Sequence, residues 1–335
     1  MKRKNALMAI TLASVLILSG FSTPAFAATE ILYMVSKGGD TQSPSQLWTV
    51  DTTTGIATPL PSPVGFEACT SMDFVAGVLH AACESVTIFG LFTENGLISI
   101  DHLTGIGTAI GNNGGGQNYG GMSTHPISAI LYAFAPAAFS TSPGLGTMSL
   151  GTGLFTSIGG VVSGGGNGLA FASDGTLYIA RDDGSATPDT INTVSIASGA
   201  ETPSATIGYV SPLSDGDRTT AMDFSVTNTL WAAIKVGSGG GGTGGGQNTG
   251  DTYLATINPT TGAMNTPVLI KDIGGTAIVG VDGIAFLIDV PVGGFDVSIN
   301  TSALLLAGVQ SVSMWMIPVI LAGIGIGVFV IKRRN

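Results

Sequence analysis

The sequence predicts an all-β chain: a five-bladed β-propeller closed by a C-terminal strand, followed by one C-terminal transmembrane helix. Three observations carry this. A strand–turn–strand phrase whose turn ends on Gly recurs five times. A second hairpin phrase precedes most copies, and the half missing from the first copy stands at the far end of the repeats. The chain then closes with a long apolar run followed by basic residues.

At the start, MKRKN and the apolar stretch Ala6 to Phe21 lead into Ala25-Phe26-Ala27. A basic n-region, an apolar h-region and a small-residue cleavage site make residues 1–27 a signal peptide. No Cys follows Leu18-Ser19-Gly20, so the segment does not read as a lipoprotein signal.

The repeats begin at LWTVDTTTGIATPL (47–60) and continue as LISIDHLTGIGTAIG, GTMSLGTGLFTSIG, INTVSIASGAETPSATIG and YLATINPTTGAMNTPVLI. Their turn glycines are Gly55, Gly105, Gly153, Gly199 and Gly262. We place the last strand residues at Val50, Ile100, Leu150, Ile196 and Ile257, which gives two loop lengths. A Gly at the end of such a loop suits positive φ. Asp51, Asp101 and Asn258 open the longer loops, where a short polar side chain serves the turning backbone.

The second phrase reads SMDFVAGVLHAAC (71–83), GMSTHPISAILYAF, GLAFASDGTLYIA and AMDFSVTNTLWAAI. Before the first repeat only ILYMV (31–35) is present; GVDGIAFLI (280–288) supplies the missing strand. Four strands per unit, closed by a strand from the other end, predict a ring of blades that buries their faces against each other. A β-sandwich or β-solenoid is the alternative arrangement of such strands. The phrases resemble the "LYxIDxxTGxxTxIG" signatures of exported β-propeller repeat proteins over about residues 29–290; that resemblance implies the fold and leaves the function open.

Met314 to Ile331 carries no charge and is closed by Lys332-Arg333-Arg334. About 20 residues cross a ~30 Å hydrocarbon core. The expected organisation is therefore ectodomain 28–290, linker 291–311, transmembrane helix 312–331 and cytoplasmic basic tail 332–335. The segment 291–330 resembles the C-terminal segments of surface proteins of ammonia-oxidising archaea, which implies a cell-surface location. Asn300-Thr301-Ser302 is a glycan sequon in the linker.

All 21 acidic residues but only five of the 11 basic ones lie between the two charged ends, so that region carries −16. Such a surface excludes a nucleic-acid partner, which requires clustered Lys and Arg. It leaves the membrane, through the C-terminal helix, and a cell-surface protein or glycan as expected partners.

Facing Phe74 with Val78 puts Cys69 opposite Cys83, and outside the cell that pair predicts a disulfide. Asp73 and Asp223 occupy the middle of Met-Asp-Phe in two blades, where Ser123, Ala170 and Ala285 stand in the others. Innermost strands surround the axis, so these carboxylates either hold a cation such as Ca²⁺ or accept hydrogen bonds from a neighbouring blade. Asp215 and Asp217 form a D-x-D in an acidic loop, and Asp182-Asp183 follow Arg181; both loops fit Ca²⁺ loosely, or are simply solvated. GGGQN at 114–118 and 244–248 lacks the Lys-Ser/Thr ending of a phosphate loop, so both copies read as surface loops, with sugar contact as the alternative. His80, His102 and His125 show no metal-ligand spacing.

The sequence thus points to a non-enzymatic binding module of the cell envelope, with no catalytic residues and no cofactor beyond candidate Ca²⁺. The rival readings are an extracellular metal-dependent hydrolase or lyase using the channel carboxylates, and a structural component of a surface layer.

Overall fold

The computed structural model describes residues 29–37, 43–87, 93–112, 119–135, 143–160, 165–182, 187–237 and 250–289. The predicted signal peptide, the linker with Asn300, the apolar run 312–331, the basic tail, both GGGQN segments and Asp183 lie outside them. The chain divides into two units, 1–289 and 290–335, and all described residues belong to the first. Among the described residues no helix is long and apolar enough to cross a membrane.

The first unit is a five-bladed β-propeller. Blade 1 joins β21 (Val281–Asp289), β1 (Thr29–Ser36), β2 (Gln46–Val50) and β3 (Ile56–Pro59), with β20 (Lys271–Asp272) added parallel to β3. Blade 2 is β4 (Glu67–Val75), β5 (Val78–Thr87), β6 (Thr93–Ile100) and β7 (Gly107–Asn112). Blade 3 is β8 (Gly121–Thr124), β9 (Leu131–Ala135), β10 (Gly144–Met148) and β11 (Phe155–Gly159). Blade 4 is β12 (Gly165–Phe171), β13 (Leu177–Asp182), β14 (Thr190–Val194) and β15 (Glu201–Thr206). Blade 5 is β16 (Arg218–Phe224), β17 (Leu230–Lys235), β18 (Thr252–Ile257) and β19 (Val268–Leu269).

The predicted closure is present. Strand β21 pairs antiparallel with β1, setting Phe286 opposite Leu32 and Ile284 opposite Met34. The inner strands β4, β8, β12, β16 and β21 follow one another around the axis, and β21 meets β4. Each joint between neighbouring blades holds its own apolar cluster. The joint of blades 1 and 2, for example, buries Val35 and Leu47 against Met72, Leu79 and Ile98. Fully burying one such Leu or Ile stabilises by ~1.5–3 kcal/mol. An inner strand packs on both faces, and almost all of β4 is accordingly buried. By contrast β15, an edge strand with Glu201 and Pro203, stays mostly exposed, a composition that discourages pairing with another chain.

Two expectations are corrected. The repeated turns do not have two lengths. Strands end at Met148 and Val194, not at Leu150 and Ile196, and all five turns close alike. In each, the Gly N–H donates to the residue four before it: Gly55 to Asp51, Gly105 to Asp101, Gly153 to Ser149, Gly199 to Ser195 and Gly262 to Asn258. Ser149 and Ser195 take the place of the Asp, so apolar Leu150 lies in a turn and is exposed.

The second correction concerns register. Phe74 pairs with Leu79, not with Val78. The reason is a two-residue turn, Ala76-Gly77, with both φ values positive, which matches the twist of the flanking strands. An irregularity between Cys69 and Ser71 then absorbs one residue and restores Cys69 opposite Cys83. The two are joined as a disulfide.

The repeated glycines also contact the preceding blade. Gly55 has φ +70, and a Cβ there would stand 2.3 Å from the Leu269 carbonyl oxygen. A side chain at Gly153 (φ +72) would strike the Gly111 carbonyl of blade 2. The repeat phrase therefore writes both a turn and a joint.

Candidate functional site

Midway along the axis, Met72, Met122, Leu169, Met222 and Ile284 border a void of about 10 Å³. That is room for about one water. On the side of the β4–β5, β8–β9, β12–β13 and β16–β17 turns the axis widens into a funnel of about 440 Å³. All five blades contribute to its wall.

Asp73 and Asp223 lie in this wall, one residue beyond the narrow point on β4 and β16. Each carboxylate holds two backbone N–H groups. Oδ1 of Asp73 accepts from Phe74 (2.8 Å), and Oδ2 accepts from Thr124 of blade 3. Oδ1 of Asp223 accepts from Phe224 (2.8 Å), and Oδ2 from Phe286 of blade 1 (2.7 Å). Ser123 Oγ accepts from Phe171 of blade 4 at 3.0 Å.

These five bonds form one scheme. Each inner strand presents an N–H to the blade before it. Asp73, Ser123 and Asp223 accept it from the following blade. Ala170 and Ala285 have no acceptor, and at those joints the Asp of the following blade accepts the N–H of the Phe next to it on its own strand instead. Three side chains thus satisfy all five groups, and an unsatisfied one would cost about 1–3 kcal/mol.

Burial raises the Asp73 carboxyl to about 6. Burial likewise pushes Asp223 well above the usual carboxylate range, and the negative charges of Asp73 and Glu30 add to the effect. The N–H bonds act the other way on both groups, because they favour the ionised form.

Aromatic pairs buttress the wall. Phe74 packs on Tyr33, Phe171 on Tyr132, Phe224 on Tyr178 and Phe286 on Trp231, with ring centroids 5.3–6.3 Å apart. Each pair crosses a joint between neighbouring blades, and such pairs add ~0.5–1.5 kcal/mol beyond their buried area. The joint of blades 2 and 3 differs: His80 and Thr124 fill the two columns. His80 is buried, which lowers its pKa, and its Nδ1 lies 3.0 Å from the Val78 carbonyl.

The other predicted residues lie apart. Asp217 is buried; Oδ2 accepts from Ser214 N–H (2.7 Å) and Oδ1 from Gly237 N–H (2.9 Å). Asp215 is exposed. Asp51 and Asp101 serve their turns, accepting from Thr53 (2.8 Å) and Leu103 (2.9 Å), which lowers both pKa values. Arg181 pairs with Glu201 across blade 4 and lies over the Phe134 ring of blade 3 at 4.6 Å. His125 packs edge-on against Phe171 beside the funnel, while His102 packs on Tyr33 and Phe74. Among the described residues no three His, Cys, Asp or Glu side chains are grouped to hold a metal.

The interblade aromatic pairs are the site feature that sequence reading missed. A signal existed: Tyr, His or Trp follows Leu at the same column of each second phrase.

No family model matches the sequence, and no curated protein matches it. Among solved structures the chain is similar to TolB from Acinetobacter baumannii, with 11% identity and a TM-score of 0.42. The match covers 77% of this chain and 66% of that protein's length, just under two thirds.

Proposed function

We propose that the chain is a membrane-anchored cell-surface β-propeller that serves as a non-enzymatic binding module of the cell envelope. One observation carries the binding role: a funnel built by all five blades and floored by two carboxyl groups whose oxygens are each fixed by a backbone N–H. An oxygen held in this way is oriented and keeps a second lone pair for a ligand. The predicted signal peptide and the apolar run 312–331 support the location, as does the disulfide, since such bonds persist in oxidising compartments.

Photo-cross-linking in the native cells tests this. A cross-linking residue is placed at Ile127, beside the funnel, or at Val210, in the connection that leads into the far end of β16. A defined adduct from either position, on protein that external protease removes from intact cells, is the expected result. The proposal fails if neither position gives an adduct or if the protein is protected from the protease.

A further inference from the structure

The mouth of the funnel is rimmed by apolar side chains. Exposed Ile31, Val78, Ile127, Ile130, Val226 and Ile288 stand at the strand ends and turns around its mouth, Ile127 at 81% exposure. Monomeric proteins rarely gather exposed apolar side chains at one place without a partner.

The basic residues are elsewhere. Lys37 follows β1, Arg181 and Lys235 lie at the ends of β13 and β17, and Arg218 opens β16. Those positions are at the opposite end of the blades from the funnel. Lys271 is on β20, the outer edge of blade 1. Glu30 lies at the funnel end, where its carboxylate accepts the Val226 N–H at 2.8 Å. The funnel therefore joins an apolar rim to an acidic floor with none of the five basic side chains beside it.

We propose that this end docks a protein whose contact segment inserts one Arg or Lys side chain into the funnel, onto Asp73 and Asp223, between apolar residues that cover the rim. The inference rests on the binding-module reading and names its partner class.

Two features favour a basic side chain over a bare metal ion. Each carboxylate oxygen already accepts one N–H, while Ca²⁺ requires six to eight oxygen ligands. Beside the carboxylates the funnel is lined by the rings of Phe74, Phe171, Phe224 and Phe286, which supply none, and by the neutral hydroxyls of Ser123, Thr124, Ser173 and Ser225. Those rings do suit the alkyl stem and the cationic head of Arg or Lys. The volume, about 440 Å³, accommodates one long side chain with its flanking backbone.

The test is calorimetric titration of the full-length protein in detergent with four acetylated, amidated tripeptides: Leu-Arg-Leu, Leu-Lys-Leu, Leu-Gln-Leu and Leu-Glu-Leu. The Arg and Lys peptides are expected to bind at least tenfold more tightly than the Gln peptide, and the Glu peptide not at all. Asp223→Asn should remove the preference. Val226→Lys, at an exposed rim position, supplies a competing cation without touching the floor and should weaken the Arg peptide at least tenfold. Equal binding of the Arg and Gln peptides overturns the proposal, as does an Arg peptide unaffected by Val226→Lys. A rise in Tm with CaCl2 that blocks the Arg peptide and is lost in Asp223→Asn would show a metal site instead, and also overturns it. Cross-linking separates the failures. Adducts from Val210 alone leave the binding module standing and sink only the funnel docking, whereas no adduct from either position sinks both.

Discussion

Asp73 and Asp223 together accept four of the five backbone N–H groups at the funnel floor, although they stand on blades 2 and 5. Each has an Ala-bearing blade before it and another blade after it. Each carboxylate therefore ties its own strand and the next one to the ring.

Asp73→Asn should destabilise the propeller by about 1–3 kcal/mol, because one amide face is a donor and leaves an N–H unsatisfied. Asp73→Ala removes both acceptors and should cost more. Ser123→Ala leaves only the Phe171 N–H without its partner and should resemble the single loss. Urea denaturation of the three variants measures the order. An Asp73→Ala protein as stable as the parent would remove the role assigned to the carboxylate.

The pH dependence has a defined sign. The folded state holds the Asp73 proton up to about 6, above the ~3.9 of an unfolded Asp. Its contribution is therefore greatest below pH ~4 and falls as pH rises through 6. His80 works in the opposite direction: its lowered pKa destabilises the fold as pH drops below the ~6.5 of an unfolded His. The difference in Tm between the parent and Asp73→Asn reports the Asp73 effect together with the part of the Asp223 shift that the Asp73 charge causes, which has the same sign. The stability of the parent relative to the variant should decline as pH rises from ~4 through about 6; a rise over that interval contradicts the assignment.

The disulfide spans 14 residues. A loop of about that length is worth ~3 kcal/mol when closed. Cys69→Ser/Cys83→Ser should lose stability of that order, and non-reducing peptide mapping should recover the Cys69–Cys83 link. Two free thiols in the untreated protein would remove it.

Glycines of similar φ should respond unequally to alanine. At Gly153 a Cβ would stand 2.5 Å from the Gly111 carbonyl oxygen, whereas at Gly77 (φ +82) nothing lies within 4 Å. Gly77→Ala should cost only the left-handed backbone strain of ~1–2 kcal/mol. Gly153→Ala should cost several kcal/mol in total, since backbone must also shift. Equal losses in thermal denaturation would argue against the contact between blades 2 and 3.

Much of the fold was legible because its signals are local. Asp51 and Gly55 mark a turn through hydrogen bonds within five residues, and the Ile284-Ala285-Phe286 phrase marks a strand through its own composition. The errors arose where two strands had to be matched. Leu150 and Ile196 look like strand residues, yet the common turn claims them. Phe74 and Val78 look opposed, yet the two-residue turn sets Phe74 against Leu79.

By itself the sequence determined the five units, the strand that closes them and the column holding Asp73, Ser123 and Asp223. Each depends on residue type and spacing along the chain. Only the tertiary structure decided what that column does. Which N–H an Asp accepts depends on whether the preceding blade offers Ala or an acceptor, and that neighbour, Ala285 for Asp73 and Ala170 for Asp223, is distant in the chain. The funnel, its apolar rim and the rise in the Asp73 pKa have the same origin: they exist only once five inner strands surround one axis and exclude water between them.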